Sequence, residues 1–397
     1  MGELLISSDK RNNAGKYTQD DILAASLGTE LVKKHIFFGL RSTEESVKNY
    51  RVVDSGDVIY TKSPIKGYPN GIIRTNKGLE GIVPSLYCVY HSIASINSSF
   101  IQSYFEDKGR LDGYLNPMVN VGARNNVNIT DLGFLEGTIC IPQNIDEQNK
   151  IVNFFNHLTN LISLHQRKLE HLQDKKKVLS QKMFPKEGEK FPEFRFPGFT
   201  DPWEQHLIGD YYYFKNGLNK GKEFFGHGVS IVNFTDVFHN RGINASKLKG
   251  KVNLQPSEIA NYSVQKGDIF FTRTSETIDE IGYPSVMIDE PNDTVFSGFV
   301  LRGRAVEEDP LTIKFKQYVF YTDEFRKEMI KKSSMTTRAL TSGTAIKQME
   351  IYFPKDKREQ DKIGDYFEKL DKLITINKRK VEHLQQQKKG LLQQMFI

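Results

Sequence analysis

The chain has 397 residues, of which 38% are hydrophobic and 26% charged, with a formal net charge of +6. That length allows roughly two to four domains, and a basic balance suits an anionic partner, although charge alone fits a mildly basic protein with no such partner equally well. Cys88 and Cys140 lie far apart without companion His or Cys spacing, which argues against a zinc site or disulfide framework and fits a reducing cytoplasm. The opening MGELLISSDK lacks the basic start and apolar run of a signal peptide. No stretch approaches the roughly 18 apolar residues that a membrane span needs.

In chain order, residues 1–142 form a first module rich in β-branched and aromatic residues with Gly, Asn and Asp turns. Within it, Gly56-Asp57-Val58-Ile59-Tyr60-Thr61-Lys62 reads as a Gly-Asp turn entering a buried strand that ends in a hydroxyl and a cation. A helix follows over 143–184. Its apolar residues Phe155, Leu158, Ile162, Leu169, Leu172, Leu179 and Met183 fall on alternating steps of three and four, the spacing of a coiled-coil seam. Residues 185–190 form a linker. Pro185, Pro192, Pro197 and Pro202, with Gly188 and Gly198, make a helix impossible to continue there.

A second module spans 191–354. Gly267-Asp268-Ile269-Phe270-Phe271-Thr272-Arg273 repeats the Gly-Asp strand, and Ser297-Gly298-Phe299 stands where Ser85-Leu86-Tyr87 stands in the first. The second helix, 355–397, carries Phe367, Leu370, Ile374, Val381, Leu384, Leu391 and Met395 on the same steps. Residues from Pro142 and from Pro354 align without a gap at an offset of about 212, with roughly half the positions identical. Glu147-Gln148 matches Glu359-Gln360, Glu170-His171-Leu172-Gln173 matches Glu382-His383-Leu384-Gln385, and Met183-Phe184 matches Met395-Phe396. The segment was duplicated. Polar residues break each seam at matching places, His165 and Lys176 in one, Asn377 and Lys388 in the other, and are expected to fix register and partner choice. Alone such helices are marginal, so the two copies are expected to pair with each other, antiparallel. The fold class is therefore α+β: two mixed α/β modules, strands dominating, alternating with two long helices that pair as an antiparallel coiled coil.

Four features together resemble the specificity subunit of type I restriction–modification enzymes. They are the Phe191–Phe199 lead-in, Phe-Pro-Glu-Phe-Arg-Phe-Pro-Gly-Phe, with Trp203; the Gly-Asp strand; the Pro…Glu-Gln start of each helix; and the Lys-rich helix end closing on Met-Phe. The resemblance covers nearly the whole chain. It implies two target-recognition domains, each reading half of a split site on double-stranded DNA, with the helices as spacer. It also implies partners: methyltransferase subunits, two of them expected, and motor-nuclease (restriction) subunits. S-adenosylmethionine, ATP and Mg²⁺ belong to those partners, and no cofactor is expected on this chain. The lead-in has no counterpart before the first module, which opens at Met1. A short module, a displaced start or a strand supplied from elsewhere would each account for that.

Candidate DNA contacts in the first module are Lys62, Lys66 and Arg74, then Arg124, Asn125 and Asn126 in the Gly122–Asn126 loop, where Arg and Asn suit guanine and adenine edges. The same loop reads equally well as an Asn-rich turn. In the second module they are Arg273, Thr274 and Ser275 after the matched strand, with Thr337 and Arg338 in the place of Arg124. Lys247, Lys249 and Lys251 alternate as either a phosphate track or a solvated edge. About 38 helical residues at 1.5 Å each span roughly 57 Å, which predicts half-site centres roughly 10 base pairs apart.

No catalytic or metal residues are assigned. The Asn/Asp-Pro-Pro-Tyr/Phe loop of an amino-methyltransferase is missing, Gly217–Lys222 has the wrong spacing for a Walker loop, and a Gly-Asp turn explains Asp268 more simply than a nuclease site. Two other functions stay open at this point: a stand-alone methyltransferase or nuclease with an unrecognised site, and a coiled-coil scaffold for proteins. Methyl transfer by the chain alone would mark the first, and absence of salt-dependent, sequence-selective DNA binding the second.

Overall fold

Two helices dominate, Ile145–Lys182 and Lys357–Met395, of 38 and 39 residues. Each begins with a short polar side chain accepting from its first turn, Asn144 from Asp146 N and Asp356 from Arg358 N, both at 2.8 Å. Acidic residues follow where helix N–H groups lack partners: Asp146 and Glu147 in one, Glu359 in the other. This computed structural model describes residues 1–27, 31–33, 43–93, 95–121, 127–335 and 337–396. The chain divides into two compact units, Met1–Lys168 with Asn377–Ile397, and Leu169–Ile376. Each unit holds one module and part of both long helices. No helix among the described residues is long and apolar enough to cross a membrane.

In the first unit a four-stranded antiparallel sheet runs Leu5–Ser8, Tyr87–Ser92, Val58–Thr61, Ile73–Thr75. Val58–Thr61 is buried throughout because both faces are covered. Tyr60 and Tyr90 stack on Phe134 on one side, at 5.0 and 4.8 Å, while Ile59 and Val89 join Val53, Ile72 and Val83 on the other. Ile151, Val152 and Phe155 of the first long helix and Leu392 and Phe396 of the second belong to the Tyr60–Tyr90 core. Phe155 stacks on Phe396 at 5.7 Å, Lys388 donates to Thr159 at 2.9 Å, and His165 lies 3.4 Å from Asn377. Residue numbers thus fall along one helix as they rise along the other, so the segments are antiparallel.

In the second unit a five-stranded sheet runs Tyr212–Asn216, Val300–Ala305, Ile269–Thr272, Pro284–Met287, Gly242–Ile243, with only the last pair parallel. A second sheet orders Lys251–Val252, Phe225–Val232 and Thr294–Phe296. Trp203, Phe184 and Phe315 form one aromatic cluster with Phe367 of the second long helix. Lys176 forms an ion pair with Asp371, the repeat counterpart of Thr159, which Lys388 meets in the first unit. Both polar seam breaks in each helix are therefore engaged: His165 with Asn377, which stand 212 residues apart and are counterparts of each other, and Lys176 and Lys388 with matching positions.

Seam burial is uneven. Phe155, Leu158, Phe367, Leu370, Val381 and Leu384 are buried, while Ile162, Leu169, Leu172, Leu179, Ile374 and Leu391 are half-buried. At the end of the second helix the expected Leu391 and Met395 give way to Leu392 and Phe396, which are 6% and 8% exposed, whereas Met395 is 38% exposed. A straight helix of 3.6 residues per turn drifts from a strict 3.5-residue stripe, and the buried face moves on by one residue.

The duplication extends beyond the helices into how each is anchored. Gln148 and Gln360 are both fully buried. Gln148 accepts from Asn97 N at 2.9 Å and donates to Pro142 O at 2.8 Å; Gln360 accepts from Thr312 N at 2.7 Å and donates to Pro354 O at 2.8 Å. Asn97 and Thr312 are the N-caps of helices Ser98–Tyr104 and Ile313–Val319. One side chain in each unit therefore ties the start of a long helix to a module helix.

Candidate nucleic-acid interface

The Gly-Asp turn sets the base of each candidate surface. Gly56 and Gly267 have φ of 91° and 87°, a backbone region that side chains disfavour. The following carboxylate folds back onto the turn: Asp57 accepts from Asp54 N and Asp268 from Gln265 N, each at 2.8 Å. Across the sheet each meets a basic residue. His91 Nδ1 lies 2.6 Å from Asp57, and Arg304 donates twice to Asp268, both bonds at 2.7 Å. Burial pushes the Asp57 carboxyl up, against the pull of His91. Burial also opposes the Arg304 charge, but Asp268 outweighs it and raises that guanidinium above its ordinary value.

Asp54, Asp57 and His91 are the one group among the described residues whose potential metal-ligand atoms lie within 4.8 Å of one another. The second module builds the same corner with arginine, so in both the carboxylate of the Gly-Asp turn meets a basic side chain of the neighbouring strand.

Above the turn each strand ends in a matched hydroxyl and cation. Thr61 accepts from Ile72 N at 3.0 Å and Thr272 from Tyr283 N at 2.8 Å. Lys62 N donates to Leu86 O and Arg273 N to Phe299 O, each at 2.9 Å. The Lys62 ammonium is 3.2 Å from Asp131 and its side chain only 20% exposed. Burial disfavours the Asp131 anion, but Cys88, Arg51 and Lys62 together hold its carboxyl below the usual range. Arg273 reaches Gly298 O at 3.3 Å and is half-buried.

Of the other sequence candidates, Lys66 is exposed and Thr274 half-buried. Arg74 and Ser275 do not reach the surface. Arg74 is 5% exposed and donates to Ser26 O and Ile73 O at 3.0 and 2.8 Å, and Ser275 is 7% exposed and bonded to Glu280. The strand Ile73–Thr75 is buried on both faces and Ser275 turns toward Glu280, which a reading based on residue type alone could not see. Arg124, Asn125 and Asn126 lie outside the described residues.

A short antiparallel strand pair stands at matching places in both modules. Asn120–Val121 pairs with Val127–Asn128, and Ser334–Met335 with Ala339–Leu340. Each returning arm bonds to the carbonyl of the matched cation: Val127 N to Lys62 O at 3.4 Å, and Thr341 N to Arg273 O at 3.0 Å. Thr337 and Arg338 sit exposed at the second tip, Arg338 held 3.0 Å from Glu276 in a solvent-facing ion pair.

A surface element with no sequence assignment is the bulge Gly226-His227-Gly228. The pairing with Val252 jumps from Phe225 to Val229, and both glycines have positive φ, 105° and 95°. Phe224 and Phe225 beside it are 36% and 39% exposed, and Lys247, Lys249 and Lys251 are exposed on the adjoining strand and turn. Aromatics directly before two glycines spaced by one residue were the available signal, since glycine pairs in strands mark bulges.

No family model matches this sequence, and no curated protein matches it. Solved structures do. One is the type I restriction–modification system S subunit from M. genitalium, at 12% identity and a TM-score of 0.56, covering all of this chain and 94% of that one. Another comes from work on complex assembly and conformational transition of the type I R-M system, at 15% identity and a TM-score of 0.51, covering all of this chain and 96% of that one. At such identities the likeness is one of fold, and it runs the full length of the chain. The chain has the fold of the type I restriction–modification S subunits.

Proposed function

We propose that this chain is the DNA sequence-specificity subunit of a type I restriction–modification complex. One observation carries the reading: an equivalent frame, with buried Gln148 and Gln360, paired Asp57 and Asp268 and a short strand pair over each matched cation, supports two modules whose exposed residues differ. A common frame with two different surfaces suits recognition of two different half-sites. The chain itself performs no chemistry; methyltransferase subunits supply S-adenosylmethionine chemistry, and motor-nuclease subunits supply ATP- and Mg²⁺-dependent translocation and cleavage. Cations on each module supply affinity through phosphates, and the tips of the strand pairs supply discrimination. The long helices act as a coiled-coil spacer that sets the distance between half-sites.

Methylome sequencing of cells carrying this gene with its partner genes is expected to give a bipartite, asymmetric motif with half-site centres roughly 10 base pairs apart. A palindromic or continuous motif overturns the reading.

Arg338→Ala tests the hairpin assignment. Its ion pair with Glu276 is open to water, with the side chains 60% and 75% exposed, so the melting temperature should barely move. The motif should relax in one half only, by a factor of roughly 10 or more if Arg338 meets a base edge. An unchanged motif would remove Arg338 from the interface.

A further inference from the structure

The bulge Gly226-His227-Gly228 grows from the same backbone that holds the matched cation of the second module. Gly298 O accepts from the Arg273 guanidinium at 3.3 Å, and Gly298 N donates to Leu218 O at 2.8 Å. Two residues after Leu218, Lys220 pairs with Glu258 at 2.6 Å and lies 4.8 Å from the Phe224 ring centre. A run of direct contacts therefore links Arg273 to the aromatic base of the bulge. Phe299, next to Gly298, is 57% exposed, and residues 221–228 are exposed throughout.

The backbone of the bulge is fixed while its side chains stay uncovered. Val252 pairs with both Phe225 and Val229, so the residues between them are looped out of the ladder. Both glycines have a φ that side chains rarely adopt, and a Cβ on Gly228 would stand 2.4 Å from Val252 O. His227 is held out between them, and its ring has no hydrogen-bond partner among the described residues. On the paired strand, Lys249, Lys251 and Asn253 face water while Val252 is buried, the alternation of a solvent-facing edge. Lys251 donates to Ser230 at 3.0 Å beside the bulge, and Lys222 stands exposed just before it. Among the described residues Lys222, Lys249 and Lys251 are in no ion pair; Glu223, also exposed, offsets one of these charges.

Unpaired lysines attract phosphates, exposed aromatic rings suit sugars and the thymine methyl group, and an imidazole can donate to or accept from a base edge. We propose that the bulge is a second base-reading element of this module. His227 meets a base edge, Phe224 and Phe225 pack beside it, and Lys249 and Lys251 hold the flanking phosphates. This inference rests on the specificity reading and extends the half-site of the second module beyond the bases near Arg338.

The test uses the full-length chain assembled with its methyltransferase subunits, and DNA randomised in turn at each base in and beside the parent's motif. His227→Ala is expected to relax one or two positions of one half-site about tenfold or more, with the other half unchanged. Lys249→Ala combined with Lys251→Ala should weaken every sequence alike and lower the slope of log affinity against log salt by about 1 per lysine. All of these positions are exposed, so the variants should melt as the parent does. A parent motif that His227→Ala leaves unchanged overturns this inference while the specificity reading stands, whereas a parent that selects no sequence overturns both. Loss of subunit assembly in either variant, with DNA binding per assembled complex unchanged, also overturns it, because the bulge then meets a protein.

Discussion

Leu384→Asp is expected to break the packing between the two long helices in the first unit and to lower stability by several kcal/mol. Leu384 is 8% exposed and its seam neighbour Val381 7%, so the change removes a buried leucine and leaves a carboxylate among apolar side chains. Loss of the leucine burial alone costs about 1.5–3 kcal/mol, and an unpaired buried charge adds a comparable or larger penalty unless the helix moves to admit water. The module of that unit keeps its own core of Tyr60, Tyr90, Phe134 and Phe100, which holds its sheet. The expected result is a less cooperative thermal transition and, under the proposed function, no assembly with methyltransferase subunits. Ile376→Asp is the control, since Ile376 is 60% exposed on the same helix and should shift stability by about 0.5 kcal/mol or less. Equal losses at the two positions would show that the seam lies on another face.

This contrast also marks what was legible in the sequence. Helix period and the duplicated segment located both long helices and their buried faces, because a stripe of Phe155, Leu158, Phe367 and Leu370 has to be covered by something. The matched Gly-Asp strands were legible for the same kind of reason: a glycine with positive φ and a carboxylate that caps its own turn leave a local signature. Individual surface residues were not. Arg74 and Ser275 look like DNA contacts by type, yet one guanidinium closes backbone carbonyls inside the first module and the hydroxyl meets Glu280 inside the second. Which way a side chain faces depends on strand register, and register is set by partner strands distant in the chain and invisible in composition. The Asp268–Arg304 and Asp57–His91 pairs were hidden likewise, since each joins residues brought together only by cross-strand pairing.

Those two corners support a sharper expectation, because the same carboxylate position should carry very different weight in the two modules. Asp268 is 2% exposed and accepts two bonds from Arg304, while Arg302 beside it is also 2% exposed and has its charge disfavoured by burial, offset chiefly by Asp268. Asp268→Asn keeps the shape but leaves the buried Arg302 guanidinium and the half-buried Arg304 without that anion, at a cost of up to about 3–5 kcal/mol. Asp57 faces His91, whose side chain is 41% exposed and reaches water. Burial raises the folded-state carboxyl of Asp57 above its ordinary value, so its contribution to stability is fully present below the unfolded value and is lost as pH rises through the folded one. At neutral pH the ionised Asp57 therefore already weighs against the fold, and Asp57→Asn should cost about 1 kcal/mol or less there. It should cost more near pH 4 and below, where the parent regains the stability of its protonated form while the variant, always neutral, gains nothing. Urea melts of both variants at pH 7 and at the acid end would check this; equal losses in the two modules at pH 7 would mean that the arginine pair is not held by Asp268.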